Sequence, residues 1–316
     1  MGFGPHALVC YKRPLRQGLE IRKNFRGEKR MSSIRRWLWV LCFAAAGAAL
    51  AVASAGAGTL DRIKQDKTFR IAFRADAPPF SFTDSIGEPA GFMVDLCRAV
   101  AKHIGAQLNI SDLKVDYVLV TAANRFDAIA SGKADLLCEP TSETLSRREQ
   151  VDFSITTFID GASLLVAGEG PSDLRALSGK KVGVLAGTTT ERSLRDTLAS
   201  ANIAAEVVPA KTHEEGLAML DQGKIVAYFG DRAILSYLAS KSSDSSKLRL
   251  ANNVLSVEPY ALALAHGDED FRLAVDRALS HIYRSGEIAA VFAHTFGQTQ
   301  PSDTLKALYL ISALPD

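Results

Sequence analysis

The sequence predicts an α/β protein made of two α/β units. Strands and helices alternate over residues 68–138, and the alternation starts again after the Gly- and Pro-containing break at 168–171. Two apolar, extended segments, 162–167 and 257–265, bracket the second unit. Strand–helix alternation favours parallel pairing in an α/β sheet. These two segments are expected to be strands that cross between the two units and form a hinge.

The first unit opens on a strand at 68–73, where polar and apolar residues alternate. Apolar residues then recur at helical spacing up to a stop at Gly105; they are Val94, Cys97, Val100, Ala101 and Ile104. Two further strands, 115–120 and 134–138, flank a short helix at 124–131.

The second unit repeats the order of strand and helix. In chain order its elements are predicted at 181–185, 191–200, 205–208, 214–220, 225–229 and 233–239. The polar stretch 240–247 is predicted to be a surface loop, and two helices follow at 271–283 and 288–296.

Composition and charge narrow the class of protein. The 316 residues are 47% hydrophobic and 23% charged, which is enough for a large core. Residues 1–58 hold ten Lys/Arg and two Asp/Glu, so the rest of the chain has 27 basic and 33 acidic residues. An acidic body argues against a nucleic-acid partner, which needs a basic face.

A secretory signal peptide is predicted at about 31–57, after an N-terminal extension at 1–30. Two arginines precede an apolar run at 37–52, and Ala-x-Ala sites allow cleavage after Ala55 or Ala57. The alternative is an uncleaved anchor, although the run is short and Ala-rich for a membrane span. We expect the mature protein in the periplasm.

Two cysteines, Cys97 and Cys138, remain after the predicted signal peptide. In an oxidising compartment an even pair favours a disulfide. The alternative is two reduced cysteines that pack as small hydrophobic residues.

Short motifs in a fixed order along residues 59–297 carry a family resemblance. They include Phe69-Arg70-Ile71-Ala72, Pro79-Phe80-Ser81-Phe82, Val94-Asp95-Leu96, Asn124-Arg125, Gly132-Lys133-Ala134-Asp135, Val151-Asp152-Phe153-Ser154, Gly183 through Thr189, and Ser285-Gly286-Glu287. The set resembles the periplasmic polar-amino-acid-binding proteins, the solute-binding family 3 of ABC importers, and within it the glutamate/aspartate-binding branch.

The resemblance implies a type II periplasmic-binding-protein fold with two lobes, a ligand cleft and a two-strand hinge. Lobe 1 would comprise 58–165 and 258–298, lobe 2 would comprise 166–257, and 299–316 would be a C-terminal tail. It also implies an amino-acid ligand, a membrane permease as partner and a monomer. It implies no catalysis, cofactor or metal.

An amino-acid ligand carries a carboxylate and an ammonium, and each must be paired when buried. Arg147 matches the family's anchoring arginine, and a guanidinium can hold a carboxylate with two parallel bonds. The alternative is a solvated arginine like its neighbour Arg148. Ser142 is expected to add a hydroxyl, but Pro140 stands where most members have glycine and lacks an N–H donor.

Lobe 2 is expected to contribute Thr188 and Asp231. Thr188 lies at a predicted helix N-terminus, where hydroxyl and N–H groups attract anions; capping by Thr189 or Thr190 is the alternative. Asp231 follows a strand and matches the family's acidic partner for the ligand's ammonium. Its alternative role is to cap the next helix.

The remaining candidates would contact the ligand's side chain. Phe80 and Phe82 are predicted to be walls of the cleft, with core packing as an equal alternative. Positions similar to Arg74, Arg125 and His213 hold a side-chain carboxylate in the glutamate/aspartate branch. The alternative is a structural role for each, and the Asn124-Arg125 pair also occurs in members with other ligands. Thr121, which precedes the helix that Arg125 begins, is a further candidate. We therefore expect a polar amino acid, with an acidic one as the hypothesis.

Two rival functions remain open. The first is an exported enzyme similar to cyclohexadienyl dehydratases, which share this fold; no zinc motif, nucleophile elbow or P-loop is present, and no unexplained carboxylate is expected in the cleft. The second is a sensor that docks on a separate membrane receptor.

Overall fold

The computed structural model describes residues 58–171, 173–242, 245–252 and 254–315. The predicted extension and signal peptide at 1–57 lie outside these residues. Within the described ranges, no helix combines the length and the apolar character that a membrane span requires.

Lobe 1 is built on a mixed sheet with the strand order β5-β1-β6-β13-β7. Its strands are β1 (Thr68–Arg74), β5 (Lys114–Val120), β6 (Leu136–Leu137), β7 (Val151–Asp160) and β13 (Glu258–Ala265), and a small sheet adds β2 (Asp76–Ala77), β3 (Ser81–Thr83) and β4 (Pro89–Ala90). Its helices are α1 (Thr59–Asp66), α2 (Phe92–Gln107), α3 (Arg125–Ala130), α4 (Leu145–Arg148), α8 (Glu269–Ser285), α9 (Glu287–Phe296) and α10 (Asp303–Ser312).

Lobe 2 has a second mixed sheet, ordered β10-β9-β11-β8-β12. Its strands are β8 (Ala162–Ala167), β9 (Lys181–Leu185), β10 (Glu206–Ala210), β11 (Ala227–Asp231) and β12 (Leu248–Leu250), and its helices are α5 (Thr189–Ser200), α6 (His213–Asp221) and α7 (Arg232–Lys241). Short 3-10 turns lie at Arg175–Leu177 and Ser245–Lys247.

Both faces of the lobe 1 sheet are covered, which the sequence of β1 explains. Phe69 and Ile71 join one buried apolar cluster, while Ala72, the residue after Ile71, joins another. Successive strand residues point to opposite faces, so a strand with apolar residues on both sides must be covered on both. The carboxyl end of β1 is thereby held inside the molecule, where it carries Arg74.

The two crossings between the lobes lie side by side at Gly161. The N–H of Leu255 donates to the carbonyl of Ala162 at 2.8 Å. A Cβ on Gly161 would lie 2.3 Å from Val254 Cγ1 and 2.6 Å from the carbonyl oxygen of Ser256, so only glycine allows this approach.

The predicted lobe boundary after residue 165 and the predicted crossover strands differ from these sheets. β8 pairs with β11 and β12, so it belongs wholly to lobe 2. β13 pairs with β6 and β7, so it belongs wholly to lobe 1. The first crossing is therefore at Gly161, and the return crossing lies between β12 and β13.

The predicted C-terminal tail also differs, because much of it is a helix packed on lobe 1. Leu305 and Tyr309 of α10 are buried in the main apolar cluster of that lobe. The ring of Tyr309 lies 4.9 Å from that of Tyr283. Ser302 caps the helix by accepting from the N–H of Leu305. The domain core therefore extends past residue 298.

The predicted disulfide between Cys97 and Cys138 is confirmed, and it links α2 to the segment after β6. It spans 41 residues. In the chain-entropy model a loop of this size stabilises the fold by about 4 kcal/mol. We expect the Cys97→Ala/Cys138→Ala variant to lose about that much unfolding free energy, measured by urea denaturation under oxidising conditions. A loss of less than about 1 kcal/mol would contradict the expectation.

Candidate functional site

The carboxyl ends of strands from both lobes meet at one cleft. β1 ends at Arg74, β6 leads to the segment Glu139–Ser142, and β11 ends at Asp231, while Gly187–Thr189 follows β9. Open α/β sheets usually bind ligands at such strand ends. Seven of the ten predicted ligand residues lie around this cleft: Arg74, Arg125, Ser142, Arg147, Thr188, His213 and Asp231.

Arg147 presents an unpaired guanidinium to a cavity between the lobes. Its Nη1 donates to the carbonyl of Ser142 at 2.6 Å, and its guanidinium lies 5.3 Å from the ring centre of Phe126. No carboxylate in the described part of the chain lies within ion-pair distance of it. Burial, together with nearby Arg125, lowers the pKa of Arg147 to about 10, so the side chain is charged at neutral pH. Its neighbour Arg148 is exposed, as predicted, and forms an ion pair with Glu143.

The cavity has a volume of about 420 Å³ and is lined by both lobes. Lobe 1 contributes Phe126, Thr144 and Arg147, and lobe 2 contributes the N-terminus of α5 with Thr188 and Thr189. Helix N-termini and a free guanidinium both favour an anionic group. This side of the cleft is therefore suited to a carboxylate.

Asp231 presents an unpartnered carboxylate oxygen, its buried Oδ1. The residue lies at the N-cap position of α7, yet its side chain makes no capping hydrogen bond. Burial raises the pKa of Asp231 well above its ordinary value, and the nearby carboxylates Asp160 and Glu258 raise it further. Asp231 does not line the cavity itself, but its charge acts on Arg147. An unsatisfied buried carboxylate is suited to a cationic group.

Hydroxyl groups join the two lobes at Glu258. Its carboxylate accepts hydrogen bonds from Ser142 of lobe 1, from Thr189 of lobe 2 at 2.8 Å, and from Ser256 at 2.8 Å. Thr189, not Thr188, therefore makes the contact between lobes. Thr188 caps α5, accepting from the N–H of Glu191 at 3.1 Å. The sequence indicated this region by its run of three threonines after Gly187. The run alone does not show which of the three hydroxyl groups faces the other lobe.

A buried ion-pair cluster surrounds Glu139, a residue that the sequence analysis missed. The Glu139 carboxylate lies 3.4 Å from Arg74 Nη1 and 3.2 Å from Arg125 Nε, and it accepts from the hydroxyl of Thr141. Arg74 also donates from Nε to Asp76 at 2.9 Å. Burial alone would lower the pKa of Arg74, but Glu139 and Asp76 raise it above its ordinary value. Burial lowers the pKa of Arg125, and Glu139 opposes that change.

His213 belongs to lobe 2 and lies close enough to Arg74 of lobe 1 for their charges to interact. Its Nδ1 is 3.1 Å from the hydroxyl of Tyr228, and its Nε2 has no hydrogen-bond partner. Tyr228 fits there because a Cβ on Gly183 or Gly216 would overlap its ring. Burial, with the charge of Arg74, lowers the pKa of His213 to about 3, so the imidazole is neutral.

The three remaining predicted ligand residues, Phe80, Phe82 and Thr121, make other contacts. Phe80 is fully buried in the aromatic core of lobe 1, 4.9 Å from the ring of Phe158, which agrees with the alternative of core packing. Phe82 packs on Tyr237 of lobe 2, with ring centres 6.0 Å apart. Thr121 is exposed, and its hydroxyl and N–H both donate to Asn124, because it begins the turn before α3.

The cleft contains more carboxylates than the sequence predicted. No carboxylate besides Asp231 was expected there, but Glu139, Asp160 and Glu258 also lie in or beside the cleft. Each of them lies at the end of a strand or within two residues of one, and the pairing of strands far apart in sequence brings them together. Among the residues that the structure describes, no cluster of three or more His, Cys, Asp or Glu could hold a metal ion.

The chain is similar to known proteins over most of its length. Residues 69–298 match the family model described as bacterial extracellular solute-binding proteins, family 3. An L-glutamate/L-aspartate-binding protein of Pseudomonas aeruginosa is 33% identical over 257 residues, covering 81% of this chain and 85% of the relative.

Solved structures of amino-acid-binding proteins have a similar fold. An ancestral arginine-binding protein bound to glutamine superposes with a TM-score of 0.66 at 28% identity, covering 73% of this chain and 99% of that chain. An ancestral amino acid-binding protein, a precursor of cyclohexadienyl dehydratase, gives 0.66 at 26% identity, covering 76% and 100%. The predicted two-lobe fold is confirmed, and the chain belongs to the bacterial extracellular solute-binding proteins of family 3.

Proposed function

We propose that this protein is the substrate-binding component of an amino-acid ABC importer and that it encloses one zwitterionic amino acid between its lobes. One observation carries the proposal: an unpaired guanidinium, Arg147, and a buried carboxylate oxygen without a hydrogen-bond partner, Asp231 Oδ1, come from opposite lobes at the same set of strand ends, where the charge of Asp231 raises the pKa of Arg147. The relative named for glutamate and aspartate, and the ancestral arginine-binding protein that was solved with glutamine, support an amino-acid ligand.

The two groups match the two charges of an amino acid. The ligand's carboxylate would lie against Arg147 and the N-terminus of α5, where charge-assisted bonds are strongest. Its ammonium would lie against Asp231, with Asp160 and Glu258 close behind. Each buried charge would then be paired, which removes the main cost of enclosing a zwitterion.

Contacts between the lobes support capture by hinge closure. Thr189 donates to Glu258 at 2.8 Å, and Arg192 Nη1 donates to the hydroxyl of Ser146 at 3.3 Å. Each contact joins lobe 2 to lobe 1 near the cavity. Closing two lobes about a short hinge is an established way to enclose a ligand, and the paired crossings at Gly161 would serve as that hinge.

The side-chain end of the ligand would lie near Arg74, Arg125 and His213. These buried polar groups favour a polar side chain over an aliphatic one, because an aliphatic group would leave their remaining donors unpaired. The cognate permease, the periplasmic location and the monomeric state belong to the same proposal; they follow from the class of protein and from the predicted signal peptide.

A thermal-shift screen of the purified protein against the twenty amino acids tests the proposal. An amino acid present at 100 times its dissociation constant should stabilise the protein by about 2.7 kcal/mol. The same screen on the Arg147→Ala variant is the control and should give no comparable shift. If no amino acid stabilises the protein, the proposed function is wrong.

The second candidate function is a dehydratase-like enzyme, which one observation favours. Burial raises the pKa of Asp231 well above its ordinary value, and a buried protonated carboxyl could act as a general acid. Incubating the protein with prephenate separates the two functions: formation of phenylpyruvate would favour the enzyme, and its absence the binding protein.

A further inference from the structure

We propose that Glu139 is a specificity-determining residue that excludes amino acids with a negatively charged side chain. The inference rests on the proposed function. Glu139 supplies from within the protein the carboxylate that neutralises the two buried arginines, so the site takes amino acids whose side chains are uncharged or positively charged.

The geometry places one carboxylate between two guanidinium groups. Glu139 is 1% exposed, and Arg74 and Arg125 are each 3% exposed. Its two oxygens are divided between them: Oε2 lies 3.4 Å from Arg74 Nη1, and Oε1 lies 3.2 Å from Arg125 Nε. Asp76 Oδ1, 2.8 Å from Arg74 Nη2, adds a second negative charge to Arg74. Neither arginine has an uncompensated charge left for a ligand.

The backbone on both sides holds Glu139 in place. Cys138 is tied to α2 by the disulfide, and its N–H donates to the carbonyl of Ala72 at 2.8 Å. Pro140 follows, and its ring fixes the backbone angle φ. Thr141 donates its hydroxyl to the same carboxylate. Because burial and this anchoring oppose withdrawal, an incoming carboxylate cannot simply displace Glu139 into solvent.

The charged groups around the cleft also disfavour a ligand with a negatively charged side chain. Its arginines are Arg74, Arg125 and Arg147. Its carboxylates are Asp76, Glu139, Asp160, Asp231 and Glu258. The ligand's own carboxylate takes Arg147, and its ammonium offsets one acid. Arg74 and Arg125 already face Glu139, and Arg74 also faces Asp76, so a further negative charge on the side chain would find no unpaired cation.

An uncharged polar side chain can use what remains. Nε2 of His213 is buried without a hydrogen-bond partner, whereas Arg74 Nη2 already lies 2.8 Å from Asp76 Oδ1. The neutral imidazole can carry its proton on Nε2 and donate it to an amide or hydroxyl oxygen of the ligand. This donor favours an oxygen that brings no charge.

Calorimetry with two matched pairs of ligands tests the inference. Glutamine and glutamate, like asparagine and aspartate, differ only by an amide in place of a carboxylate. We expect the wild-type protein to bind its best uncharged or basic amino acid at least about tenfold more tightly than glutamate or aspartate, because like charges brought together in a binding site cost more than this factor. In the Glu139→Gln variant, glutamate or aspartate should gain about tenfold or more relative to wild type.

The Asp135→Asn variant is the matched control. Asp135 is a buried carboxylate paired with Arg62, away from the cleft. It should lower stability without changing the ratio of acidic to uncharged ligands. Tighter binding of glutamate or aspartate by the wild-type protein would overturn the inference and leave the proposed function standing. Binding of no amino acid at all would overturn the proposed function. Should Glu139→Gln fail to fold, the wild-type comparison alone decides.

Discussion

Replacing Arg147 by alanine is expected to weaken amino-acid binding by a factor of about 30 to several thousand. The loss follows from leaving the ligand's carboxylate buried and unpaired, which costs about 2–5 kcal/mol. Arg147 has no carboxylate partner within the described residues, so little folding stability should depend on its charge. Isothermal titration calorimetry on the two proteins measures the effect.

Arg148→Ala is the matched control for that variant. Arg148 is the next residue in the same helix, but its side chain is exposed and paired with Glu143. Its loss should leave affinity unchanged, because an exposed ion pair contributes about 0–1 kcal/mol to stability and does not touch the cleft. Arg147→Lys should fall between wild type and alanine, since lysine keeps the charge but not the two parallel bonds. Equal affinity of Arg147→Ala and wild type, with an intact fold, would remove Arg147 from the site.

Replacing Asp231 by asparagine should abolish tight binding while sparing the fold. The ligand's ammonium would lose its charged partner, at a cost of about 2–5 kcal/mol in binding. Without ligand, Asp231 Oδ1 is buried with no hydrogen-bond partner, so the neutral amide should keep or raise the melting temperature. Calorimetry and thermal unfolding of the same samples measure the two effects, which should have opposite signs.

The pH dependence of stability gives a further readout of Asp231. Burial and the nearby carboxylates raise the pKa of Asp231 in the folded protein, so the folded chain keeps a proton that the unfolded chain releases. Stability of the ligand-free protein should therefore fall as the pH rises from the ordinary aspartate pKa through the raised one. Asp231→Asn should remove this fall, whereas Asp116→Asn, at an exposed position, should keep it. A fall that persists in Asp231→Asn would show that another group causes it.

The alternation of strands and helices was readable from the sequence because each element carries its own local signal. Periodicity and stop residues predicted β1, α2, β9 and most of the second unit within a few residues of the observed bounds. The hinge was harder to place. β7 and β8 are separated only by Gly161, and which sheet each strand joins depends on pairing with β11 and β13, far away in sequence.

Motifs indicated which residues lie at the cleft, whereas contacts set by packing were not readable from the sequence. Arg147 and Asp231 were proposed as ligand residues from their places in ordered motifs, and both lie at the cleft. The sequence left Phe80 open between a core and a cleft-wall position, because an aromatic residue before a strand suits both, and only its contact with Phe158 distinguishes them. Glu139 was missed because nothing local shows that its carboxylate meets Arg74, 65 residues earlier in the chain.

A crystal structure of the purified protein with its most stabilising amino acid tests the central claim most directly. We expect the ligand's carboxylate to accept two hydrogen bonds of about 2.7–2.9 Å from the Arg147 guanidinium. We expect its ammonium to contact Asp231, and Glu139 to remain between Arg74 and Arg125. A ligand bound with its carboxylate away from Arg147, or with its ammonium out of reach of Asp231, would contradict it.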